Sequence, residues 1–200
     1  MHCINLLFIG IFLVLSPGEA EFTLSDLESA PYEVIKKERT YEIRKYPGAK
    51  WTCHDLEKDS YISRFMETQY HDLFQYFSGS NREKVNIALT TPITMKLTNK
   101  NNRKVNNQMC FYIPQKYQQK PPTPNNKEIY IEDRQSMTIY AREFNKYISK
   151  HSEFEEEADI LRNDSMLENA KVDFSFFYGV NYDPPVRGNE RRNEVWFVEE

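Results

Sequence analysis

The residues of this chain best able to do chemistry are dispersed. His54, His71 and His151 stand in three separate stretches, and each reads most simply as a partly exposed surface histidine. The sequence carries no Gly-rich phosphate loop, no G-x-S-x-G elbow and no Cys-x-x-Cys pair. Nucleotide binding, serine-type acyl transfer and structural zinc therefore lack their usual marks. Carboxylates are plentiful, but no two are set apart by spacing as an acid and base pair. The densest polar cluster is NERRNEVWFV, Asn189 to Val198, where Arg191, Arg192, Asn193 and Glu194 run directly into Trp196. It has two readings. The favoured one is a buried network of arginine on carboxylate that pins a last strand; the other is an arginine clamp for the carboxylates of a ligand.

The element most able to position a site is Ser60 to Phe77, SYISRFMETQYHDLFQYF. Ile62, Phe65, Met66, Tyr70, Leu73, Phe74 and Phe77 recur at spacings of three and four, which predicts a helix with one broad apolar face. Arg64, Thr68, His71 and Gln75 fall opposite. Asp59 or Ser60 suits the N-cap, and Gly79 stands where a left-handed residue would end the helix. So many large side chains must be laid on a sheet. Core packing accounts for most of the stripe; a flank of it lining a flat apolar ligand site is the sharper reading.

The remainder reads as strands. Tyr32 to Lys37, Tyr41 to Tyr46 and Ala49 to His54 precede the helix. Val85 to Thr98 alternates with a bend near Thr91-Pro92, and Met109 to Ile113 returns after an exposed connection at Asn99 to Asn107. A Gln, Lys, Pro and Asn segment, Gln115 to Lys127, forms a seam. Ile129 to Asp133 and Met137 to Ala141 follow. Ser152 with Glu155 then forms a capping box near the start of a second helix reaching about Asn163. The run Glu153 with Glu155 to Glu157 reads as a solvated face at that helix start. Val172 to Val180 and Glu194 to Val198 close the chain, with a Pro184-Pro185 turn between them. Each half is two strands, a helix and two strands. The expectation is an α+β fold, one eight-stranded antiparallel barrel or twisted sheet built from two pseudo-symmetric ββαββ halves, with both helices outside.

Composition bounds the setting. Ile4 to Leu15 is an apolar run of secretory-signal length ending at Gly18-Glu19-Ala20, too short to cross a bilayer of about 30 Å as a helix. A mature domain would span residues 21–200, or 200 − 20 = 180 residues, and the formal charge of −4 would become −3 on loss of Glu19. That balance gives no drive toward nucleic acid or anionic membrane. Secretion is expected, and Asn163-Asp164-Ser165 is an N-glycosylation sequon. Cys53 and Cys110 would meet an oxidising compartment. Strand parity argues against a bridge, since Cys53 shares a face with Ala49 and Trp51 while Cys110 is out of phase with Met109, Phe111 and Ile113.

Seven ordered blocks then spell out a resemblance: YEVIKKERTYEIRKY (Tyr32 to Tyr46), LTTPIT (Leu89 to Thr94), FYIP (Phe111 to Pro114), PPTP (Pro121 to Pro124), IEDRQSMTIYAREF (Ile131 to Phe144), NYDPPV (Asn181 to Val186) and RRNEVW (Arg191 to Trp196). In order and spacing the chain resembles the SOUL haem-binding protein family, from about residue 31 to 198. The resemblance implies a distorted eight-stranded barrel with two helices and a pseudo-twofold. It also implies a tetrapyrrole carrier without catalysis of its own. In members that ligate haem iron, a histidine follows the YEIR block; Lys45 holds that position here. Other members are thought to hold the porphyrin against the first helix, where the corresponding flank is Glu67, Tyr70, Phe74 and Gln75, with Arg64 and His71 on the outer side. A Gly-rich turn before the second helix is replaced by Asn145-Lys146. The resemblance thus points to Lys45, Tyr70, His71 and Phe74 as contacts for haem or a related porphyrin, in a secreted, extracellular, non-catalytic protein. The alternative is a secreted binding module for a protein partner or another apolar ligand. In that reading Phe154, Ala158, Asp159 and Leu161 of the second helix loosely resemble a groove-binding amphipathic helix.

Overall fold

A computed structural model describes residues 27–56, 62–98, 107–148, 151–164, 170–183 and 191–200. The secretory segment, the Asp59 or Ser60 cap, the connection at 99–106 and the Pro184-Pro185 turn lie outside the described residues. The elements are β1 (Glu28–Ser29), β2 (Glu33–Lys37), β3 (Glu42–Tyr46), β4 (Ala49–Leu56), α1 (Ile62–Phe77), β5 (Thr90–Thr91), β6 (Ile93–Thr98), β7 (Asn107–Tyr112), β8 (Ile129–Arg134), β9 (Met137–Asn145), α2 (His151–Arg162), β10 (Val172–Asn181) and β11 (Arg192–Glu199).

Nine strands form one open antiparallel sheet in the order β2-β3-β9-β11-β10-β6-β7-β4-β8, and β1 pairs with β5 in a separate parallel ribbon. Setting β2 aside, the order has a twofold hidden in it. Exchanging β3 with β8, β4 with β9, β6 with β10 and β7 with β11 reproduces the same order read backwards, about an axis between β10 and β6. The expected ββαββ duplication is therefore the plan of the sheet, with β2 added at one edge. Each helix packs on strands of its own half, α1 on β4 and β7, α2 on β11 and β10.

The sheet is buried on both faces. Under the helices, Leu73, Phe77, Met109, Phe111, Phe154, Ala158, Leu161, Phe177, Val195 and Phe197 form one core. On the other face Tyr46, Trp51, Cys53, Cys110, Tyr112, Tyr178 and Trp196 form a second. Neighbours along β7 and β11 therefore alternate between two dry environments rather than between core and water. This overturns the parity argument against a disulfide. Cys110 is indeed out of phase with Met109 and Phe111, but the face it shares with Cys53 is the second core. The two cysteines are register partners on β4 and β7, with Cα atoms 4.1 Å apart, and they are bridged.

Two further expectations are corrected. Residues 85–89 form no strand; the Asn81 side chain donates to Tyr76 O and Val85 O and accepts from Val85 N–H, while Ile87 N–H donates to Phe77 O, folding the segment back under α1. Period-two apolar residues there mark a chain laid along the helix end. The acidic run at the start of α2 is not simply solvated either. Glu155 and Glu157 are buried, and Glu157 accepts from Arg142 Nε at 3.1 Å and pairs with Lys146 Nζ at 3.0 Å. Ser152 falls in the described helix one residue after His151, near its start as the sequence indicated.

The expected stop to α1 is present. Gly79 has φ +96°, Ser80 N–H donates to Gln75 O at 2.9 Å, and a Cβ on Gly79 would meet Asn86 Oδ1 at 2.9 Å. Only glycine takes that conformation and that space without strain.

Candidate functional site

Helix α1 is seated on the sheet slightly rotated from its sequence stripe. Gln69, Leu73, Tyr76 and Phe77 point inward, and Tyr76 Oη donates to Pro122 O at 2.7 Å, tying the helix to the Pro-rich seam. Burial pushes the Tyr76 hydroxyl up to about 12. Tyr76 sits outside the apolar stripe read from the spacing, and its inward turn displaces two stripe members. Tyr70 and Phe74 are left half-buried on the flank. Their rings run near-parallel, 11° apart with centroids 6.3 Å apart, and Tyr70 leans on Phe111 of β7 at 5.4 Å. Burial raises the Tyr70 hydroxyl above its ordinary range, so it stays neutral. A flat apolar shelf with one wall against the sheet is what such a pair presents to a planar molecule.

His71 is exposed on the same helix, beside that shelf in sequence. Its neighbour Asp72 is engaged elsewhere, accepting from Asn126 Nδ2 at 2.9 Å and lying 3.5 Å from His54 Nε2. Lys45 is exposed on β3, paired in register with Glu33 and Thr138. In the sheet order β9, β11, β10 and β6 stand between β3 and β7, the nearer of the two strands under α1. The structure thus brings Tyr70 and Phe74 together, sets His71 alongside, and places Lys45 on a different part of the sheet. The side chains of Arg64 and Glu67 lie outside the described residues.

The C-terminal polar cluster is the buried network. Glu194, fully buried, accepts from Arg44 Nη1 at 2.8 Å, Arg192 Nη2 at 2.9 Å, Tyr182 Oη at 3.0 Å and Trp196 Nε1 at 2.6 Å. Burial works against the Arg44 charge, but the Glu194 carboxylate outweighs it and holds the guanidinium protonated. Arg192 also donates Nε to Glu143 at 2.9 Å, and Arg191 lies over the Tyr147 ring at 4.5 Å. These arginines are spent on the protein itself. On α2, Phe154, Ala158 and Leu161 are buried in the helix-side core, so the face that resembled a groove binder is already occupied by the sheet. Among the described residues no helix is long and apolar enough to cross a membrane.

Residues 27–198 match the family described as SOUL heme-binding protein. The chain is 33% identical over 178 residues to Heme-binding protein 2 of Mus musculus, covering 85% of this chain and 83% of that one. It is 31% identical over 175 residues to Heme-binding protein 2 of Homo sapiens, with coverages of 85% and 83%. Against Heme-binding protein 1 of Bos taurus it is 29% identical over 178 residues, covering 86% and 92%. In shape it resembles the EcmrR C-terminal domain, with a TM-score of 0.53 at 12% identity over 84% of this chain and 98% of that one, a likeness of fold alone.

Proposed function

Because this chain belongs to the SOUL heme-binding protein family, we propose that it binds haem or a related porphyrin against the Tyr70–Phe74 flank of α1 and carries or scavenges it outside the cell, without catalysis of its own. The observation that carries the reading is the half-buried, near-parallel pair Tyr70 and Phe74 leaning on Phe111. A macrocycle laid there removes apolar area from water on both partners, at about 25 cal/mol per Å². His71 at the rim is positioned by sequence to meet a propionate. A bound porphyrin would supply the colour and the redox-active metal; the chain's part is to hold a flat face and keep water from one side of it.

Export is supported by the apolar segment Ile4 to Leu15 with Gly18-Glu19-Ala20 after it, by the Cys53–Cys110 bridge, and by the exposed sequon residue Asn163. Sequencing the N-terminus of protein released from a secreting host should give Glu21 first.

Titration of haemin into the purified protein tests the ligand. The expected result is a saturable, shifted Soret band that weakens at least tenfold in Tyr70→Ser or Phe74→Ser, whose half-buried positions make them tolerable to the fold. A spectrum identical to free haemin in the same buffer rejects the reading. Lys45→His reports whether β3 shares the site: tighter binding with a low-spin spectrum brings Lys45 into it, and an unchanged spectrum leaves the site on α1.

A further inference from the structure

The face of the sheet opposite α1 is crossed by the segment that carries β1. Ala30 N–H donates to Thr91 O at 2.8 Å, Glu28 Oε1 accepts from Gln115 N–H at 2.6 Å, and Ala30 is itself buried in the second core. Beneath this strap lies a cleft lined by Ala30, Pro31, Tyr46, Trp51, Arg134 and Met137 among others. It comprises about 260 Å³ of free space, counted with its solvent-open part, and the room within it for a solvent molecule is that of about one water.

Arg134 is the unusual member of that lining. It is buried, its guanidinium held against the rings of Trp51 at 4.5 Å and Tyr178 at 5.1 Å. Its Nε donates to Glu132 at 2.7 Å and its Nη1 to Thr94 Oγ1 at 3.2 Å, while its Nη2 is buried with no acceptor. Two rings and two fixed hydrogen bonds keep the fork from swinging out to reach water. A buried, charged N–H group without a partner calls for an acceptor from outside the chain, and a carboxylate is the strongest available.

We propose that this cleft is a second binding site, distinct from the shelf on α1, for a small monocarboxylate with a flat apolar body. One carboxylate oxygen takes the water-sized room and accepts from Arg134 Nη2. The apolar body stays in the open part, against Trp51 and Met137 and under Pro31. So small a room excludes a bulky head group such as a phosphate ester. The predominantly apolar walls discriminate against a polar body.

Benzoate is the probe, with benzyl alcohol as its uncharged counterpart. The chain has two tryptophans, of which Trp51 lines the cleft and Trp196 is sealed in the Glu194 network. Benzoate should quench tryptophan fluorescence saturably, with benzyl alcohol at least tenfold weaker. Arg134→Met should lose the preference for the acid. If that variant does not fold, Ala49→Phe, which fills the open part from a half-buried position in the lining, should abolish benzoate binding and leave the haemin titration unchanged. A linear, non-saturating response in the parent protein would mean that the orphan N–H is met by water alone and overturns the proposal. So would equal affinity for the acid and the alcohol, or displacement of benzoate by one equivalent of haemin.

Discussion

At the scale of single residues, Glu194 does the most to fix the molecule. A carboxylate taken wholly out of water is costly, and it is tolerated here because four donors from Arg44, Arg192, Tyr182 and Trp196 converge on it. Removing its charge while keeping its shape takes the fully buried partner from the Arg44 guanidinium and leaves it the part-exposed Glu42 carboxylate, 2.9 Å from its Nε. Glu194→Gln is therefore expected to cost about 3–5 kcal/mol, read from urea unfolding midpoints at constant slope. Pairing it with Arg44→Met should recover much of that loss, because the exchange removes both buried charges together; a double variant no better than the single one would refute this account. The dense Arg and Glu run before Trp196 made a pinning network readable from sequence alone. Its central partner was not readable: Arg44 lies 150 residues away and meets Glu194 only because β3 and β11 both flank β9. Arg134 was hidden for the same reason, its ring partners coming from β4 and β10.

At the scale of elements, alternation located most strands, helical spacing the first helix and a capping box the second, yet none of these could say which face of a strand was wet. Val195, Trp196 and Phe197 are all dry because consecutive residues enter different cores. A period of two then carries no inside and outside. That is why the parity of Cys110 misled, and why the orientation of α1 was legible only to within a fraction of a turn: Tyr76 had a carbonyl to bond in the seam, which a count of apolar spacings does not contain. The disulfide gives this scale its prediction. It closes a loop of 57 residues that contains the whole of α1, and loop-closure entropy places its contribution at up to about 4 kcal/mol. Cys53→Ala with Cys110→Ala, or a strong dithiol reductant, should lower the unfolding free energy by roughly 2–4 kcal/mol. A midpoint insensitive to reduction would show that the two strands are held equally well by their ladder and cores.

For the whole molecule, the consequence of two cores on one sheet is an abundance of tyrosine hydroxyls in dry surroundings. A sheet with one wet face could turn such groups outward, but here both faces hold them: Tyr76 under α1, Tyr178 and Tyr182 on the opposite side. Burial pushes Tyr76 up to about 12, raises Tyr178, and raises Tyr182 well above the ordinary value, with the Glu194 carboxylate adding to the last. In the unfolded chain these phenols ionise near about 10. Below that value both states hold the same protons and the tyrosines make stability independent of pH. Above it the unfolded chain releases protons that the native state retains, so the native state is destabilised as pH rises, by at most about 1.4 kcal/mol per pH unit for each such group. The fold should consequently be lost cooperatively in alkali, the stabilising contribution being full below about 10 and gone once pH exceeds the folded values. Tyrosinate absorbance and far-ultraviolet circular dichroism followed on one sample should show the buried phenols ionising together with the loss of strand signal. Smooth ionisation of every tyrosine near about 10, with the circular dichroism unchanged, would mean that one of the two faces is open to water.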